Sequence, residues 1–134
     1  MSTFGPYPGV VASIHDGDTF RVRVTTPRHR TATDVGWDVT VVCSASILVD
    51  VRLYGCNAPE LATDPGKAAL AYLEALMPVG TAVQLTSYGW DKYAGRTDAA
   101  ILLPDGRDLM AVMIAAGQAA PWSGHGPKPV PGVT

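Results

Sequence analysis

The stretch VVASIHDGDTFRVRVT, residues 10–25, constrains the fold more than any other part of the chain. Phe20, Val22 and Val24 fall on one face and Thr19, Arg21 and Arg23 on the other, the period of two that marks a half-buried strand. A second apolar run precedes it, and between the two stands Asp16-Gly17, a dipeptide that accepts the positive φ of a tight hairpin turn. The chain therefore opens its core with an antiparallel hairpin. Asp18 shares the inward parity of Phe20 at the start of the second strand.

Residues 25–36 carry no periodicity and read as a long polar loop, with Arg28, His29 and Arg30 as a solvated basic cluster. Alternation returns with Trp37, Val39, Val41 and Cys43, and again with Ile47, Val49, Val51 and Leu53, which puts Asp50, Arg52 and Tyr54 on the opposite face. Asp64-Pro65 opens a helix as N-cap and first-turn proline. Ala69, Leu70, Leu73, Leu76 and Met77 are its buried stripe, and Pro78 and Gly80 stop it. TAVQLTSY (81–88) and DAAILL (98–103) give two more strands, the second closed by Pro104-Asp105-Gly106. Asp108 caps a last short helix that places Leu109, Val112, Met113 and Ala116 on one side and ends at Gly117.

That order has no repeat and no βαβ alternation. It predicts a mostly β protein with α elements: a single domain over 1–134, built as a five-stranded barrel capped by two short helices, with an extra hairpin or long loop near 25–46. Residues 1–9, with Gly5, Pro6, Pro8 and Gly9, and residues 121–134 are expected to be extended terminal segments, with Trp122 pinned to the body.

At 134 residues one domain can remove roughly 65–70% of its unfolded surface from water, so a real core is expected. The formal charge of -2 means that a protein acting on nucleic acid must concentrate positive charge locally. No apolar run approaches the ~20 residues that span a bilayer. The start, MSTFGPYPG, lacks a basic and then apolar leader, so an unexported chain with no membrane partner is expected, cytoplasmic or released by lysis. Cys43 and Cys56 permit one disulfide, but both sit in apolar runs where a free thiol serves as a small buried hydrophobe. His15, His29 and His125 show no zinc-ligand spacing.

Most polar groups next to turns and strand ends lie in three segments: HDGDT (15–19), RLYGCNAPE (52–60) and DKYAGR (91–96). Each alone is commonplace, and Arg52 with Glu60 could be a plain ion pair, Asp18 a turn cap and Arg96 a surface residue. Taken together and in this order, the segments resemble the staphylococcal nuclease, or thermonuclease-like, family. That family's pattern is D-G-D-T, then R-L-x-G-x-D-x-P-E, then D-[KR]-Y-G-R with an apolar strand, a D-G turn and a short helix ending in Gly. The match spans about residues 10 to 120.

The resemblance implies an OB-fold barrel and a calcium-dependent phosphodiesterase acting as a monomer on DNA and/or RNA and leaving 3′-phosphates. It implies Asp18 as a side-chain metal ligand, Asn57 in the place of the second, and the carbonyl of Ala58 on the ion. Arg52 and Arg96 would hold the scissile phosphate, Glu60 would be the base, and Lys92 and Tyr93 would lie beside the bound nucleotide. The chemistry asks for these types independently. A phosphodiester is an anion that resists attack by water, so its hydrolysis needs neutralised phosphoryl oxygens and a base for the water. Paired guanidiniums grip phosphate in a way that an ammonium does not, and a hard cation on oxygen ligands adds polarisation.

The sequence departs from the pattern at Asn57, which removes a full negative charge from the metal position and weakens calcium affinity. Ala94 adds one residue before Gly95-Arg96, which alters the reach of Arg96. The alternative is a catalytically weakened OB-fold module that binds single-stranded nucleic acid through aromatic stacking and a positive groove.

Overall fold

The computed structural model describes residues 3–32, 39–90, 95–124, 126–129 and 131, with backbone alone at 27–32, 39–44 and 90. Its elements are β1 (Phe4–Asp16), β2 (Thr19–Ala32), β3 (Val39–Leu53), β4 (Cys56–Asn57), α1 (Asp64–Leu76), β5 (Ala82–Trp90), β6 (Thr97–Leu102), α2 (Leu109–Ala115) and β7 (Ala120–Pro121). Five strands close a barrel in the order β1-β2-β3-β6-β5, with β3 and β6 parallel and the other neighbours antiparallel. This is the expected barrel with two helical caps, in the strand order of an OB-fold.

The alternation read from β2 is the one that the barrel uses. Phe20, Val22 and Val24 are buried, as are Val51 and Leu53 across the ladder on β3, while Arg21 and Arg23 stay outside. Each such side chain taken fully out of water contributes about 1.5–3 kcal/mol. Helix α1 brings Ala69 and Leu73 into the core, followed by its C-cap Met77, and α2 brings Leu109 and Met113. Neither helix is long and apolar enough to cross a membrane.

Three local expectations are corrected. Residues 25–32 are strand, since β2 and β3 pair without interruption from Thr19↔Arg52 to Ala32↔Val39. Ladder bonds are made by the backbone and need no apolar alternation. Ile47 and Leu48, neighbours on opposite faces of this arm, are both exposed. The N-terminal residues join the barrel from Phe4, pairing Tyr7 with Leu85 and Gly9 with Val83, and the irregularity between Phe4 and Tyr7 accommodates Gly5 and Pro6. The cap of α1 is Thr63, one residue before the expected Asp64: its Oγ1 accepts the Gly66 N–H at 3.1 Å. The side-chain alternation expected over Trp37–Cys43 lies outside the described side chains.

Candidate functional site

The β1–β2 turn is pressed against the rest of the molecule. A Cβ on Gly17 would stand 2.8 Å from the Cβ of Ala58 and 2.9 Å from that of Ala69, so only glycine permits this approach. Gly17 does not have a positive φ, so the residue serves close contact and not the turn type expected for Asp-Gly. The contact carries Asp18 to the segment after β4. Its Oδ2 accepts the Ala58 N–H at 2.8 Å, its Oδ1 accepts from Thr19 Oγ1 at 3.1 Å, and its carbonyl accepts the Leu53 N–H at 2.8 Å.

Arg52 stands opposite Thr19 in the β2–β3 ladder, on the outward parity of β3. Its Nη2 lies 3.7 Å from Asp18 Oδ2 and 3.4 Å from Asn57 Oδ1, to which it makes a long hydrogen bond. Two oxygens expected to hold a cation thus face one cationic nitrogen. The side chains of Arg52 and Asp18 are only 14% and 9% exposed. The plain ion pair between Arg52 and Glu60 is not formed, since Arg52 pairs with Asp18 instead.

Burial, and then the neighbouring Asp16 carboxyl, push Asp18 up from 3.8 to about 6, against the pull of the Ala58 N–H and Arg52. Asp16 is also partly desolvated, which raises it, but hydrogen bonds from Asp18 and Thr19 outweigh this and hold it below the ordinary carboxylate value. Burial thus disfavours the ionised form of Asp18. A cation placed against Asp18 would relieve that strain. Burial pushes the thiol of Cys56, which is free, up to about 12, so it stays protonated at neutral pH as a small buried hydrophobe. Cys43 lies outside the described side chains.

The donors that converge here are oxygens, one carboxylate and one amide, which suits a hard cation of the calcium type completed by backbone oxygen and water. No cluster of three or more His, Cys, Asp or Glu among the described residues could hold a metal ion. Ala58 meets Asp18 through its N–H.

Glu60 follows Pro59 and is exposed, and its carboxylate makes no hydrogen bond or ion pair among the described residues. Its backbone is fixed nevertheless. The Glu60 carbonyl accepts from Thr63 N–H at 3.0 Å and Thr63 Oγ1 at 2.6 Å. A Cβ on Gly66 would come within 1.8 Å of that same oxygen. The first turn of α1 therefore sets where Glu60 leaves the chain. Arg96 lies on the neighbouring wall, just before the β6 residue Thr97 that pairs with Val51. It lines a groove of about 350 Å³ with His15, Thr19, Arg21 and Asp50. Lys92 and Tyr93 lie outside the described residues.

Sequence reading anticipated that Trp122 is pinned, but not to what. β7 pairs with β4, and the Trp122 N–H donates to the Gly55 carbonyl at 3.0 Å. The Trp122 ring centroid is 4.8 Å from Arg52 Cζ, and Lys128 Nζ lies 5.9 Å from it. Asn57 Nδ2 donates to the Pro129 carbonyl at 3.1 Å, which turns its Oδ1 toward Arg52. An isolated tryptophan between proline and Ser-Gly was the only sequence signal for these contacts. No protein-family model matches the chain, and no curated protein matches it.

Proposed function

We propose that this protein is a calcium-dependent nuclease that hydrolyses phosphodiester bonds of DNA and/or RNA and leaves 3′-phosphates. The observation that carries this reading is the convergence of Asp18, Asn57 and Arg52, with two oxygen donors and a guanidinium gathered at one buried corner of the barrel. Asp18 and Asn57 would hold the calcium ion, with the carbonyl of Ala58, and the ion would polarise the phosphoryl oxygens. Arg52 offers paired N–H donors to those oxygens and stabilises the charge that grows on them. Glu60, in contact with solvent, takes the proton of the attacking water. Arg96 assists at the leaving oxygen from the adjacent groove, and Lys92 and Tyr93 flank the nucleotide.

One observation favours the second reading, a binding module. Arg52 already serves Asp18 as counter-ion, so the corner is neutralised without a metal. Cleavage of single-stranded DNA by the purified protein across a calcium series, with a chelator control, separates the two. The nuclease cuts at about millimolar calcium, as a site with few charged ligands requires, and stops with chelator. Retention of DNA without cleavage in calcium, magnesium or manganese makes the protein a binder.

A further inference from the structure

Arg52 is covered. Its side chain is 14% exposed, with Asp18 and Asn57 at Nη2 and the Trp122 ring centroid 4.8 Å from Cζ. A polymeric phosphodiester cannot form paired bonds to a guanidinium enclosed in this way. The cover comes from the C-terminal segment, which is fastened by the β4–β7 pairing, by Trp122 N–H on the Gly55 carbonyl, and by Asn57 Nδ2 on the Pro129 carbonyl.

We propose that this segment, through Trp122 and Pro129, is a strap that covers Arg52 until a polyanionic strand displaces it, and that Asn57 is its latch. The inference rests on Arg52 being the phosphate grip. An amide has an acceptor and a donor, and Asn57 uses both: Oδ1 toward Arg52 and Nδ2 toward Pro129. An aspartate there has only acceptors and would set a carboxylate oxygen against the Pro129 carbonyl oxygen. The residue that lowers the charge of the metal position is thus the one that fastens the cover.

The Trp122 ring is shared between two cations, Arg52 and Lys128. An arriving phosphate draws the Arg52 guanidinium off the ring, while Lys128, exposed, adds positive charge at the entrance. Opening breaks the Arg52–Trp122 cation–π contact, the Trp122 N–H bond to the Gly55 carbonyl and the Asn57–Pro129 bond, each of them individually weak, so the polyanion must replace several contacts at once. While closed, the strap lowers apparent affinity by the fraction of molecules that are open.

Two measurements on the full chain in chelator test this. The first is chymotryptic cleavage after Trp122, with no nucleic acid present: Asn57→Asp should be cut about 5-fold faster than wild type or more, because cleavage follows the open population. An equal rate overturns the latch. The second is binding of single-stranded oligothymidylate: Trp122→Ala should bind about 3–10-fold more tightly, and the gain should vanish when Arg52→Ala is added. Weaker binding by Trp122→Ala makes the ring a platform for substrate and overturns the strap, and so does unchanged binding. If no variant binds, displacement by a polyanion is overturned together with the nucleic-acid reading. Binding with the predicted gain, but without cleavage in calcium, defeats the nuclease reading alone and leaves the strap standing.

Discussion

Two carboxylates of the candidate site stand in opposite surroundings. Asp18 is buried, accepts a backbone N–H and faces Arg52, whereas Glu60, two residues beyond the Ala58 that binds Asp18, is exposed. The buried corner is assembled by strand ends and by a turn that only Gly17 allows to approach, so its groups are placed before any ligand arrives. The exposed one is placed through its backbone alone, by Thr63 and Gly66, and its carboxylate keeps access to water. An anchor for a cation or phosphate needs the first arrangement. A group that takes a proton from water needs the second.

That division can be broken from either side. If Glu60 is the base of the proposed nuclease, Glu60→Gln should lower turnover by about 10²-fold or more while leaving the unfolding midpoint where it is, because only a proton acceptor is lost. Arg52→Ala should lower turnover as much and also destabilise the fold, since it leaves Asp18 buried without its cation. Near wild-type cleavage by Glu60→Gln would remove it as the base. Gly66→Ala should cost about 3 kcal/mol in denaturant unfolding, because the new methyl group meets the Glu60 carbonyl and the helix start must shift. An unchanged midpoint would mean that α1 does not hold Glu60 in place.

Asp18 sharpens the contrast through pH. Its folded form binds a proton more tightly than the unfolded chain, at about 6 against 3.8, so in chelator stability falls as pH rises across that window. Asp16 has the opposite sign, but its contribution is lost only as pH drops below the ordinary carboxylate range. Asp18→Asn should therefore flatten the profile between about pH 4 and 6 and stabilise the calcium-free protein at pH 7 by about 2 kcal/mol. A variant less stable than wild type at pH 7 would show that the carboxylate is needed by the fold itself. The smallest effect is expected at Arg21, whose pair with Asp50 is 2.6 Å long but about half exposed on both sides. Arg21→Ala should change stability by no more than about 0.5 kcal/mol.

The barrel was legible in the sequence wherever one face of a strand is buried, as at Phe20, Val22 and Val24, because burial on one side imposes the period of two. Over residues 25–32 the sequence left a hairpin and a long loop both open and the structure has the hairpin arm, whereas at Phe4–Gly9 glycine and proline concealed a strand that bulges. Of the site, the meeting of Asp18, Arg52 and Asn57 follows from their place at the ends of paired strands. Their cover did not, because β4 and β7 have two residues each and the partner of Asn57 is a backbone carbonyl 72 positions away. No side-chain pattern records such a contact.

The most direct measurement is thermal unfolding of wild type and Asp18→Asn, each in chelator and in millimolar calcium. If Asp18 anchors a functional calcium ion, calcium raises the wild-type midpoint, leaves Asp18→Asn unmoved, and Asp18→Asn is the more stable protein in chelator. An equal response of both proteins to calcium, or none from the wild type, would contradict the assignment of the buried corner as the cation site.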